Sequence, residues 1–175
     1  MLDVSTFLPK DYEIKESGSD FYKFEDGDNK FRVLTPAHIG LEGWKDSKPF
    51  RRSGKGATIT PDEVDMDYKF AAEGKPKISE FWAFYVYSHR DEKVMILSIT
   101  QQSIKKGIMA FAQDEEWGNP EAYDLTVTRS DNNGKVTYSV KPSPAKPLAK
   151  AAQATVDAVS GKFDIVKALN IEEVA

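Results

Sequence analysis

Apolar and polar positions alternate with a period of two from Lys30 onward, with Phe31 and Val33 on one side and Arg32 on the other. The run continues past Pro36 through Ile39 and Leu41 to Trp44. Gly40 and Gly43 would let such a strand bulge and coil, as the first strand of a small barrel must. The densest apolar stretches are Phe81 to Tyr87 and Val94 to Thr100, joined by the polar turn Ser88-His89-Arg90-Asp91-Glu92-Lys93. Aromatic and β-branched runs around a short charged turn predict an antiparallel hairpin. After Thr100 the period changes. Ile104, Ile108 and Phe111 fall at i, i+4 and i+7 and line one helical face, with Lys105, Lys106 and Gln113 pointing elsewhere. Glu115 to Pro120 ends that helix with a glycine and a proline. Tyr123, Leu125 and Val127, then Val136, Tyr138 and Val140, alternate about the turn Asp131-Asn132-Asn133-Gly134, which predicts a second hairpin.

The remaining segments are less regular. Met1 to Gly18 has few periodic apolar positions and reads as a loosely docked arm. Asp46 to Ser79 is long, poor in apolar residues and broken by Gly54, Gly56, Gly74, Pro49, Pro61 and Pro76, so it reads as an irregular connection. Within it Thr60-Pro61-Asp62-Glu63 resembles a helix start and predicts a short helix to about Tyr68. Pro142 to Pro147 stops the last strand. An Ala-rich helix from Leu148 to Ser160 follows, then Gly161 and a short piece with Phe163, Val166 and Leu169. Its apolar face is thin, which predicts weak packing or motion in solution.

The order strand, long loop, two strands, helix, two strands predicts a mainly β chain with helices. It matches a five-stranded OB-fold barrel with a helix between strands 3 and 4 and a C-terminal helical extension. A β-sandwich or another α+β sheet is consistent with the same order. The expected divisions are an arm over 1–20, the OB domain over 21–145 with a long basic loop at 45–79, and the extension over 146–175.

At 175 residues and 19.6 kDa the chain suits one domain. It has no cysteine, which removes disulfides, thiolate metal sites and cysteine nucleophiles. Its two histidines, His38 and His89, leave no room for chemistry through several imidazoles. No apolar run approaches the roughly 20 residues of a membrane helix, and the start lacks a signal-peptide pattern, so a soluble intracellular protein is expected. The net charge of −4 argues against nucleic acid as a partner, until its distribution is considered. Asp11 to Asp28 holds seven acids and two lysines, a balance of −5; Trp44 to Thr60 holds five bases and one acid, a balance of +4. The single basic patch stands out against an acidic body.

That patch interleaves Trp44, Lys48, Phe50, Arg51, Arg52 and Lys55. Cations can track a phosphate backbone while rings between them stack on unpaired bases. On the first hairpin, Trp82, Phe84 and Val86 with Met95, Leu97 and Ile99 form a uniformly apolar set suited to the interior. This leaves Tyr85 and Tyr87 on the outer surface, where each could stack on a base. Arg32 and Lys77 complete the candidate single-strand-binding set. The bland alternatives are a solvated charged loop and tyrosines packed beneath it. Several strings fail as motifs. Asp62 and Asp67-Tyr68-Lys69 imitate a nuclease pattern, but the four residues between the two aspartates leave little space for paired strands. Gly54-Lys55-Gly56-Ala57-Thr58 lacks the pattern of a phosphate loop. Asp26-Gly27-Asp28 lacks the further ligands of a calcium loop, and His89 reads as solvated in its charged turn.

An ordered set of strings resembles the single-stranded DNA-binding proteins of tailed bacteriophages, an OB-fold type found among phage replication genes. These are Gly27-Asp28-Asn29-Lys30-Phe31-Arg32-Val33-Leu34, Lys48-Pro49-Phe50-Arg51, Phe81-Trp82-Ala83-Phe84, Ile99-Thr100-Gln101-Gln102-Ser103-Ile104, Glu116-Trp117-Gly118, Tyr123-Asp124-Leu125-Thr126-Val127-Thr128-Arg129 and Pro142-Ser143-Pro144. The resemblance spans about Gly27 to Leu148. It implies sequence-independent binding of single-stranded DNA, without catalysis or cofactor, in phage replication or recombination in the cytoplasm of an infected bacterium. It also implies contacts with phage or host replication and recombination proteins and self-association along DNA, with no membrane partner. One departure is clear. Lys146 to Ala175 balances four lysines against four acids, unlike the strongly acidic tail such proteins often carry. Two rival readings are an OB-type protein-interaction module serving recombination or assembly, and a metal-dependent nuclease, which the spacing disfavours.

Overall fold

The computed structural model describes residues 21–65 and 76–175. Eight strands form one sheet: β1 (Gly27–Val33), β2 (His38–Lys45), β3 (Lys48–Ser53), β4 (Ser79–Ser88), β5 (Lys93–Ile99), β6 (Asp124–Asn132), β7 (Lys135–Pro142) and β8 (Glu172–Glu173). Three helices accompany them, α1 (Gln102–Ala112), α2 (Lys150–Val159) and the single turn α3 (Ile165–Ala168). The run from Lys30 to Trp44 breaks near Pro36, so β1 and β2 follow one another along the same edge of β4. Val33 pairs with Val86, and His38 with Ala83. The strand order is β7-β6-β1-β4-β2-β3-β8, with β5 on the other edge of β4.

The protein is mainly β with few helices, but its sheet is open and is not a closed five-stranded barrel. Closing the ring would require β5 to pair with β7, and among the described residues the two strands form no such pair. Phe21 bridges to Ile96 on β5, where the Tyr22 N–H donates to the Ile96 carbonyl at 2.8 Å. Helix α1 lies on β7, so close that a Cβ on Gly107 would meet Val140 Cγ2 at 2.7 Å.

The alternation of β4 divides the interior as its pattern predicts. Phe84, Val86, Met95, Leu97 and Ile99 join Phe31, Leu125, Val127, Ile104 and Ile108 in the main core, with Trp82 packed partly against it. Lys105 departs from expectation. It is buried, and its Nζ donates to the Glu80 carbonyl at 3.0 Å, beside the Glu80 carboxylate at 3.5 Å. The second hairpin turns at Asn133 and Gly134, with φ of 55° and 86°. Both angles are positive, as a two-residue turn matched to strand twist requires.

Two expectations are corrected. The stretch after Trp44 is no unbroken loop, because Lys48–Ser53 pairs with β2 around Asp46 and Ser47, whose φ values are 51° and 62°. The helix expected from Thr60 to about Tyr68 is a three-residue 3-10 turn, Pro61–Glu63, ended by extended backbone at Val64; the rest of the expected range, from 66 on, lies outside the described residues, as does the arm over 1–20. The C-terminal segment is also packed more firmly than its thin face suggests. Leu169 and Ile171 are buried against Phe81, Ala83 and Ile96, and Ala152 and Val156 against Tyr87. Strand β8 then runs parallel to β3, with Arg52 opposite Glu172. The partner surface was invisible in the segment itself, because it belongs to the outer face of β4.

Candidate nucleic-acid interface

Strand register decides which candidate residues share a face. Glu42 pairs with Ser79 and Arg51, and Trp44 with Pro49. Paired residues project to the same side, so Trp44, Arg51, Phe81, Tyr85 and Tyr87 all stand on the outer face of the sheet. Phe50 and Arg52 project to the other side of β3. There the Arg52 guanidinium lies 5.0 Å from the Phe50 ring centre. The aromatic and basic residues of the patch therefore divide between two faces instead of forming one stripe.

At the tip of the β2–β3 hairpin the predicted chemistry is freely presented. Trp44 is 48% exposed, the largest exposure of any of the candidate aromatics. Lys45 and Lys48 flank the turn and Lys55 follows in the next loop. All three are exposed and carry no ion pair among the described residues. The tip is held from outside, since the Asp65 N–H donates to the Trp44 carbonyl at 2.6 Å and the Asp46 N–H to Asp65 Oδ2 at 2.7 Å. Lys77 is exposed just ahead of β4.

Deeper in the patch the cations are neutralised. Arg51 pairs with Glu42 at 3.0 Å and lies 5.8 Å from the Phe81 ring centre. Arg52 binds Glu63 at 2.6 Å, Glu172 at 3.2 Å and the Thr58 carbonyl at 2.8 Å. The Arg52 hydrogen bond, aided by the Thr60 N–H and hydroxyl, lowers the Glu63 carboxyl to a pKa of about 2. Two of the five bases in the +4 window are thus met by acids that lie outside it, Glu42, Glu63 and Glu172. Both Nε atoms are buried without a partner.

Arg32 is a correction. It is 4% exposed, and its Nε donates to Asp124 Oδ1 at 2.9 Å while Nη2 donates to the Lys146 carbonyl at 2.8 Å. It is a structural clamp between β1, β6 and the linker to α2, out of reach of a phosphate backbone. His89 is a second correction. It is no solvated turn residue, because its Nε2 lies 3.0 Å from the same Asp124 oxygen. Burial pushes the Asp124 carboxyl up, but hydrogen bonding and charge from His89, with Arg32 adding to both, hold it below the usual carboxylate range.

Tyr85 and Tyr87 are on the predicted face but covered. Tyr87 is buried under α2. Tyr85 is half-buried, with the Phe163 ring stacked on it at 4.2 Å between centres and 15° between planes. Sequence reasoning did not assign Phe163, a lone aromatic between two short helical pieces, to the site, because nothing local shows where it docks. Among the described residues, no three His, Asp or Glu side chains cluster so as to hold a metal ion, and no helix is long and apolar enough to cross a membrane. In comparisons with known proteins the chain matches no family model and no curated protein sequence.

Proposed function

We propose that this protein binds single-stranded DNA without regard to sequence, as a binding protein and not an enzyme, in the replication or recombination of a phage genome. The observation that carries the reading is the β2–β3 tip. There the exposed Trp44 indole adjoins the cross-strand pair Lys45 and Lys48, which projects to the other side of the hairpin and carries no ion pair among the described residues, on a chain of net charge −4. Rings and unpaired ammoniums together are what a strand with accessible bases and phosphates selects. The reading takes β1 with β2 as one bent strand, followed by the β4–β5 hairpin, α1 and the β6–β7 hairpin, as an opened OB arrangement. Trp44 and the tip then lie in the loop that such folds use for oligonucleotides. Association with replication proteins and with further copies along the strand belongs to the same proposal.

Titration with oligo-dT at several salt concentrations tests it. Trp44 emission should be quenched, log K should fall with log salt by about 0.7 per phosphate contacted, and K45E/K48E should flatten that slope. Duplex DNA and RNA run in parallel establish which polymer is preferred. Unchanged emission with no salt response would refute the reading. A second reading has its own observation. The outer face already accepts polypeptide, with Leu169 and Ile171 on Phe81 and Ala83 and β8 alongside β3. A protein-interaction module would use that face with little dependence on salt.

A further inference from the structure

Phe163 follows the 3-10 turn Ser160–Lys162 and precedes α3. Its ring lies flat on Tyr85, and the next residue fastens it there, the Asp164 N–H donating to the Tyr85 hydroxyl at 3.1 Å. The stack stands between two cavities, each lined by both rings. One, of about 290 Å³, is bordered by Thr35, Pro36 and His38. The other, of about 330 Å³, is bordered by Val94, Ile96 and Val159, with Lys93 and Lys162 at its rim. Both lysines are exposed and without an ion pair among the described residues. A stacked ring pair, open volume on each side and two exposed lysines, of which Lys93 also acts on the Asp91 carboxylate, form one constellation, and a ring bonded to an anion fits it. That is the chemistry of a nucleotide.

We infer that Tyr85 is a nucleobase-stacking subsite that Phe163 fills when no strand is bound, with Lys93 and Lys162 meeting the adjoining phosphates. This rests on the single-strand reading above and extends it to residues outside the basic patch. The base takes the position of the Phe163 ring on Tyr85, and the two cavities admit the flanking sugar and phosphate. Lys93 is fixed on β5, whereas Lys162 and Phe163 are adjacent in the segment between α2 and α3, which the Asp164 contact to Tyr85 and the packing of Ile165 and Val166 on β4 hold in place. Gly161, with open space around its Cα, imposes no packing on that turn.

The inference predicts an unusual sign: removing a packed ring should improve binding. Fluorescence anisotropy of a labelled oligo-dT, read with the full chain, tests it. F163A should bind about 2- to 10-fold tighter than wild type, the range expected for release of one aromatic pair. F163W, with a larger stacking ring, should bind more weakly. Tyr85→Ala should abolish the difference between phenylalanine and alanine at 163, and K93E should lower the salt slope by about 0.7. Phe163 as mere packing predicts equal or weaker binding by F163A, and that result, with wild type still binding, overturns the inference. F163A that loses thermal stability without gaining affinity counts the same way. Binding by neither wild type nor F163A refutes the single-strand reading itself.

Discussion

Arg32 offers the sharpest test of the fold, because its sequence context suggests a phosphate contact and its surroundings make it a buried clamp. Arg32→Met keeps most of the aliphatic stem and removes the charge. Asp124, 2% exposed, would lose the 2.9 Å hydrogen bond from Nε, and the Lys146 carbonyl the 2.8 Å bond from Nη2. Breaking a buried pair by removing one partner costs about 3–5 kcal/mol. His89 at 3.0 Å and Lys30 at 3.8 Å still face the carboxylate, which places the loss near the lower end, about 3 kcal/mol. In a chain of this size that corresponds to roughly 6–12 °C in Tm. The pH dependence has a definite sign. A carboxyl depressed in the folded state contributes stability above its unfolded value near about 4, and that stability is lost as pH falls through the lower folded value. With Arg32 gone the burial of Asp124 is opposed less, so the gap between wild type and variant should narrow as the carboxyl takes its proton. Urea denaturation at pH 7 and near pH 3 measures both. A gap below about 1 kcal/mol at pH 7, or one that does not change with pH, would refute the clamp, since an exposed pair contributes no more than that.

Two further predictions concern packing and charge. Gly107→Ala should destabilise by about 1–3 kcal/mol, offset by up to about 1 kcal/mol of helix propensity, because the new methyl meets Val140 on β7; G107A/V140A should recover only part of the loss in a thermal melt, since the Cβ at 140, 2.8 Å away, remains. The Glu63 carboxyl should titrate by NMR near its pKa of about 2, so its bridge to Arg52 persists as pH falls until that value. In R52A the midpoint should return toward the ordinary value near about 4.3, and an unchanged midpoint would show that Arg52 is not the cause.

What the chain discloses locally was legible. Asn133-Gly134 announced its turn, the period-two division of Phe81 to Tyr87 sorted its two faces, and the spacing of Ile104, Ile108 and Phe111 marked α1. What depends on distant partners was hidden. β3 is charged and contains Pro49, and its turn is Asp46-Ser47 with positive φ at both residues and no glycine to signal it. Arg51 pairs with Glu42, and Arg52 with Glu63 and with Glu172, 120 residues away, all acids outside the window, so counting charges in that window overstated the free positive charge; Arg32 likewise meets Asp124, 92 residues away. The C-terminal segment reads as weakly amphipathic because the apolar surface it needs lies on β4 and β5. Tyr85 and Tyr87 were placed on the correct face, yet no local signal shows that Phe163, Ala152 and Val156 lie over them.

Amide and indole chemical-shift mapping during titration with a short oligo-dT tests the proposed function most directly. The Trp44 indole, Lys45 and Lys48 should shift first, followed by Tyr85, Lys93 and Phe163, while Arg32 and Asp124 stay unmoved. Shifts confined to other surfaces, or none at strand concentrations that saturate any binding, would contradict it.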